Sequence, residues 1–211
     1  MPRYGLIDRE YGLRLRSAAY DGDGHIYLLN LTKFLPGSDP PPGTDGLGNG
    51  RGHDADEYAP IPLLTAVGAT LRLVSDVVAS SGDWDRVTVV EYPSRRSFLE
   101  LSERRDFREW HMHKQAAVER TTVVGMLPAE ELPADEAGGR ILLELWDGPT
   151  PPPLAAGPAV FFDVEGTIIG DGRNWTGARY TTIETGTPLP LQRPRADYQA
   201  LLLEPRIVRW R

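Results

Sequence analysis

The stretch 83–128, DWDRVTVVEYPSRRSFLELSERRDFREWHMHKQAAVERTTVVGMLP, decides how the chain is read. Its first part, Arg86 to Tyr92, is β-branched and alternates, which predicts a strand. Pro93-Ser94 then opens a helix, because the Ser94 hydroxyl can accept a bond from an orphan amide of the first turn. Phe98, Leu99 and Leu101 supply one apolar patch, and Phe107, Trp110, Ala117 and Val118 a second. Glu103-Arg104-Arg105 marks a break after which Asp106 restarts the helix. RTTVVGML closes the block as another strand.

Upstream, HIYLLNLTKFL is bounded by Gly24 and Pro36 and reads as a buried strand with Asn30 as its one out-of-place polar residue. Residues 35–53, LPGSDPPPGTDGLGNGRGH, hold turn formers and almost no apolar bulk, which predicts a flexible loop or a lid. Their glycines fit neither dinucleotide nor P-loop spacing. A short helix ending at Gly68 and the strand TLRLVSDVVASS follow, and this strand forms a hairpin with RVTVVEY. The order β-α-β-β-α-β over residues 24–127 predicts an α+β fold of ferredoxin-like type.

Residues 1–23 read as an arm or short helix, and 128–139 as a Pro- and acid-rich linker. Residues 140–211 look like a degenerate, truncated second copy, with RILLELW against HIYLLNL and GDGRNWTGARYTTIE against SSGDWDRVTVVE. In that reading ADYQALLLEP is a residual helix, RIVRW a last strand, and Glu144 stands where Asn30 does.

The bulk numbers set limits. The chain has 211 residues, 40% of them hydrophobic, with a net charge of −7 that argues against nucleic acid and anionic membranes as partners. It has no cysteine, which removes disulfides, thiolate metal sites and a cysteine nucleophile. The N-terminal residues lack the apolar core of a secretory signal, and no run is long enough to span a bilayer, so the cytoplasm is the expected location.

The segments LLNLTKF, DEYAPIPLLTAVGATLRLVSDVV, DWDRVTVVEYPSRRSFLEL and DFREWHMHKQAAVERTTVV together resemble the bacterial dimeric α/β-barrel superfamily, closest to a small family of unknown function. In that family a strand ends in Asn-Leu-x-x-Phe, Tyr-Pro-Ser opens a helix and Tyr-x5-His-Arg leads into the last strand. Here Asn30-Leu31-x-x-Phe34, Tyr92-Pro93-Ser94 and Phe107-x5-His113-Lys114 stand in those places, with Phe107 and Lys114 as departures. The resemblance implies two ferredoxin-like sheets facing each other as a barrel. Tandem copies would make this a pseudo-dimer within one chain, either monomeric or paired as a homodimer. The superfamily includes cofactor-free monooxygenases, haem enzymes and isomerases, so the fold alone does not name a reaction.

Candidate site residues are polar groups in otherwise apolar strands: Asn30, Arg72, Asp76 and Glu91, then Glu144, Asp163, Glu165 and Glu184. Each is either solvent-facing, ion-paired, or part of a ligand cavity. His113 and Glu91 are the candidate catalytic acid/base groups, and Trp110 a core residue or stacking platform. His111 and His113 lie about 200° apart on a helix, which excludes chelation of one metal from a single face. Ser75 and Ser102 have no histidine at hydrolase spacing. These features predict a cofactor-independent enzyme for oxygenation, isomerisation or cyclisation of a small organic molecule, as in specialised metabolism. The alternative is a non-catalytic ligand-binding or regulatory module, with a haem ligated by a histidine as a third expectation.

Overall fold

A computed structural model describes residues 5–18, 24–36, 60–133, 139–149, 157–184 and 195–210. Its elements are β1 (Leu6–Ile7), α1 (Arg9–Ala18), β2 (Ile26–Phe34), α2 (Ile61–Thr65), β3 (Thr70–Ser80), β4 (Arg86–Tyr92), α3 (Arg95–Glu103), α4 (Arg105–Ala117), β5 (Val118–Pro128), β6 (Arg140–Trp146), β7 (Ala159–Gly170), β8 (Gly177–Ile183) and β9 (Tyr198–Val208).

All the strand pairings are antiparallel, in the order β1-β7-β5-β2-β4-β3-β9-β6-β8. A further β7–β8 ladder, Ala159↔Thr181 to Asp163↔Gly177, joins the ends. The result is a closed eight-stranded barrel with β1 appended outside β7. Closure removes the sheet edges that an open sheet of this length would expose.

This corrects the expected architecture. The protein is mostly β, a single closed antiparallel barrel, and not an α+β pair of ferredoxin-like units arranged as a tandem dimeric α/β barrel. The strands β3–β9 and β5–β7 pair across the expected copies, so one continuous sheet replaces two facing ones. The segment ADYQALLLEP, expected as a helix, supplies most of β9. Its backbone is paired by β3 on one side and β6 on the other, and this tertiary pairing overrides the weak helical preference of a Leu-rich run. The expectation of a lid over 35–53 falls almost wholly outside the described residues.

Strand alternation sorts side chains between two cores. Tyr27, Leu29, Leu31, Val87, Val89, Val124, Met126, Leu143, Leu145, Leu201 and Leu203 point inward and meet Phe162, Tyr180, Trp84, Trp175 and Trp210. Tyr180 and Trp210 pack edge to face with ring centroids 5.2 Å apart. Aromatic side chains of this size fill an eight-stranded barrel. Leu28, Val90, Tyr92, Leu71 and Val74 point outward into a second core shared with Leu64 of α2, Leu101 of α3 and Tyr11 and Leu15 of α1.

Tyr11 seats α1 on the barrel at paired glycines. Gly125 and Gly166 face each other in the β5–β7 ladder, and a Cβ on either would come within 2.2 or 2.4 Å of the Tyr11 side chain. Only a residue without a side chain leaves room for the ring there.

Candidate functional site

The helices over β2, β3 and β4 begin as expected: the Ser94 hydroxyl accepts from the Ser97 amide at 3.0 Å and caps α3. Arg104, extended at φ −67° and ψ 138°, ends α3 and starts α4. The chain thus turns in the middle of the helical segment, and α3 and α4 are separate helices.

On α4, Phe107, Trp110, His111 and Lys114 recur at i, i+3, i+4 and i+7 and so share a face. Phe107 stacks on His111 at 6.0 Å and lies 5.8 Å from Trp110, while the Lys114 ammonium sits 5.9 Å from the Trp110 ring centroid.

Between this face and the outward side chains of the barrel lies a cavity of about 520 Å³. Its walls are mainly apolar: Leu28, Phe34, Leu64, Leu71, Val90, Tyr92, Phe98 and Ile168 among others. The polar side chains facing it are Asn30, Thr32, Arg86 and Thr88 from the barrel and Ser102, Arg108, His111, Lys114 and Gln115 from the helices. The volume and the sparse polar lining suit a small organic ligand. Among the described residues the barrel interior is packed with side chains, so the space lies outside the barrel, beneath the helices.

Two ionisable groups in the cavity are displaced from their ordinary behaviour. Burial pulls the Lys114 ammonium down to about 8. Burial, and then the Lys114 charge, lowers His111 to about 4, so its imidazole is neutral at pH 7. Lys114 has no carboxylate partner among the described residues. The other lysine, Lys33, is held by Asp83 at 2.9 Å and Asp85 at 3.0 Å, and these bonds raise its pKa. The Trp110 indole nitrogen is buried without a hydrogen-bond partner among the described residues.

The remaining candidate residues are scattered. Asn30 lines the cavity, its amide donating to the Leu28 carbonyl at 3.3 Å. Trp110 lines it from above. Glu91 lies elsewhere, buried on the inward-facing parity of β4. It accepts from His25 Nδ1 at 2.5 Å, from the Tyr27 hydroxyl at 2.8 Å and from Arg72 Nε at 2.5 Å. Desolvation opposes its charge, but the bonds from His25, Tyr27 and Arg72 outweigh it and hold the carboxyl below its usual range. Arg72 also donates to the Arg209 carbonyl at 3.2 Å.

Glu144 is on the outer face of the other half of the barrel, bonded to Arg179 Nε at 2.8 Å and to the Tyr198 hydroxyl at 2.7 Å. Glu165 binds Arg95 through Nη2 at 2.6 Å and ties the start of α3 to β7. Asp76 is paired with Arg86 and Arg206, Asp163 sits exposed in β7, and Glu184 is exposed just beyond β8. His113 falls on α4, and its side chain lies outside the described ones. Of the residues singled out from the sequence, Asn30 and Trp110 line this cavity, and Lys114 and His111 were not singled out as a pair. The helical spacing of 107, 110, 111 and 114 was the available signal.

No family model and no curated protein matches the chain. Two crystal structures of the RPA0582 protein resemble it. One, of a methylated form, is 27% identical with a TM-score of 0.44, covering 60% of this chain and 96% of that one. The other, from Rhodopseudomonas palustris and described as of unknown function, is 24% identical with a TM-score of 0.46, covering 61% and 99%. Among the described residues, no helix is long and apolar enough to cross a membrane, and no group of three or more His, Asp or Glu residues is placed to hold a metal ion.

Proposed function

We propose that this protein binds a small, mainly apolar organic acid in the cavity beneath α3 and α4, with its carboxylate at Lys114. The observation that carries this reading is an ammonium without a carboxylate partner among the described residues, on the wall of a largely apolar cavity of about 520 Å³. A charge desolvated in this way is disfavoured unless something offsets it, and an incoming carboxylate both neutralises it and accepts its hydrogen bonds. With a pKa of about 8 the group is still mostly protonated at pH 7. Asn30, Thr32 and Thr88 line the barrel side of the same cavity and supply further polar contacts.

Acid–base chemistry centred on Glu91 has less support. That carboxylate is already engaged by three side chains and held ionised, which leaves it a poor proton acceptor.

The test is calorimetric titration with decanoate and with decanol. The acid is expected to bind about tenfold or more tightly, the size of one charge-assisted hydrogen bond. In Lys114→Met that preference should vanish while decanol binding persists. Equal affinities for the two in the unmodified protein, or no binding of either, would overturn the proposal.

A further inference from the structure

The two lysines of this chain offer a contrast that goes beyond binding. Lys33 is fixed between two carboxylates, Asp83 and Asp85. Lys114 faces a cavity whose other walls are mainly apolar, over the ring of Trp110, and no described side chain accepts a hydrogen bond from it. An amine in such surroundings is a nucleophile, because desolvation favours its neutral form and no anion stabilises its charge. We infer that Lys114 also condenses with aldehydes or ketones that enter the cavity and holds them as a reversible imine. This rests on the reading of the cavity as a ligand site.

The step balances without an oxidant or reductant. The neutral Nζ adds to the carbonyl carbon and gives a carbinolamine, with one former amine hydrogen now on oxygen. The C–O bond then breaks, and water departs with the carbonyl oxygen and both amine hydrogens, leaving the C=N bond. His111 is one helical turn before Lys114 on the same face and lines the same cavity, which makes it the group placed to relay the nitrogen proton to the departing hydroxyl. Arg86 and Arg108 also line the cavity. The lowered pKa of Lys114 agrees with this geometry.

The experiment uses the full chain with decanal and cyanoborohydride at pH 7.5, followed by intact-mass measurement and peptide mapping. The expected result is a single decyl addition at Lys114, about tenfold or more faster than at Lys33, as their opposite pKa shifts require. Lys33→Arg should label as the unmodified protein does, and Lys114→Arg should lose the fast addition. Addition spread evenly over Lys33, Lys114 and the N-terminus, or an unmodified Lys114, overturns the inference. Should Lys114→Arg fail to fold, the ratio of the two peptides in the unmodified protein still decides. Decanoate titration of the same sample separates this inference from the binding proposal. Decanoate binding without an adduct defeats only the imine, an adduct without decanoate binding defeats only the acid-binding reading, and the absence of both defeats both.

Discussion

Asn30 faces Thr88 across the β2–β4 ladder, and Glu144 faces Arg179 across β6–β8, each pair pointing outward from the middle of its strands. The surroundings differ in kind. Over Asn30 and Thr88 lie α3 and α4, and the gap beneath these helices is the cavity. Beside Glu144 and Arg179 the outward cluster of Leu142, Ile183, Ala200 and Leu202 includes no residue of a described helix, and the same position is closed laterally: Arg179 grips Glu144, Tyr198 donates to its second oxygen, and Arg179 lies 5.8 Å from the Phe161 ring centroid. A sheet face covered by helices can leave a hollow, because helix axes stand off by the length of their side chains. A face closed by side chains bonded to each other leaves none. The cavity over Asn30 and Thr88 therefore owes its space to the helices above it.

The sharpest way to break that comparison is to remove one charge from the closed side. Arg179 is 1% exposed and Glu144 is also 1% exposed, so Glu144→Leu strands a buried guanidinium. The expected loss is about 3–5 kcal/mol of unfolding free energy in urea denaturation. The double replacement Glu144→Leu with Arg179→Met should recover most of it, since two apolar groups of similar bulk need no pairing. A single-variant loss under about 1 kcal/mol would mean that the pair is solvated and the contrast with Asn30 and Thr88 is false.

The opposite outcome is expected on the cavity side, where Lys114 has no carboxylate partner among the described residues. Lys114→Met should raise stability at pH 7 by about 1–3 kcal/mol. The sign follows from linkage. The folded-state pKa, about 8, lies below the ordinary lysine value of 10.5, so between these values the unfolded chain binds the extra proton. Stability of the unmodified protein should then climb as pH rises from 8, by up to about 1.4 kcal/mol per unit. Tyr27, Tyr92 and Tyr198 have pKa values raised by burial and oppose this above pH 10, which makes pH 8 to 9.5 the informative window. Urea titrations of both proteins across that window check it; parallel curves would show that Lys114 is not desolvated.

Much of the helix-clad half was legible in the sequence, because its signals are local. The strand Arg86–Tyr92, the Ser94 cap and the break at Arg104 each follow from a few adjacent residues. Barrel closure was not legible, since Val160↔Tyr180 and Leu73↔Val208 join strands whose attraction has no local mark. The Leu-rich run of β9 suits a helix or a buried strand equally, and only its neighbours decide. Gly125 and Gly166 read as ordinary strand glycines until Tyr11 is seen lying on them. At the site, attention went to His113 and to strand carboxylates, which the structure shows to be largely paired: Glu91, Glu144 and Glu165 each have an arginine. Which cation lacks a carboxylate among the described residues depends on the tertiary placement of all of them, and this hid Lys114.

Two conservative aromatic changes give the finest comparison. Tyr198→Phe deletes a hydroxyl that donates to the Glu144 carboxylate at 2.7 Å, and should cost about 1.5–3 kcal/mol, as for a bond to a charged group. Trp110→Phe deletes an indole N–H that is buried with no acceptor among the described residues. Loss of ring area weakens packing, but removal of an unsatisfied donor relieves about 1–3 kcal/mol of desolvation penalty, so the net change should stay within about 1 kcal/mol. Both are read from urea midpoints at fixed pH. A large loss in Trp110→Phe, matching that of Tyr198→Phe, would mean the indole is satisfied after all. The cavity wall would then be as tightly bonded as the closed face opposite it.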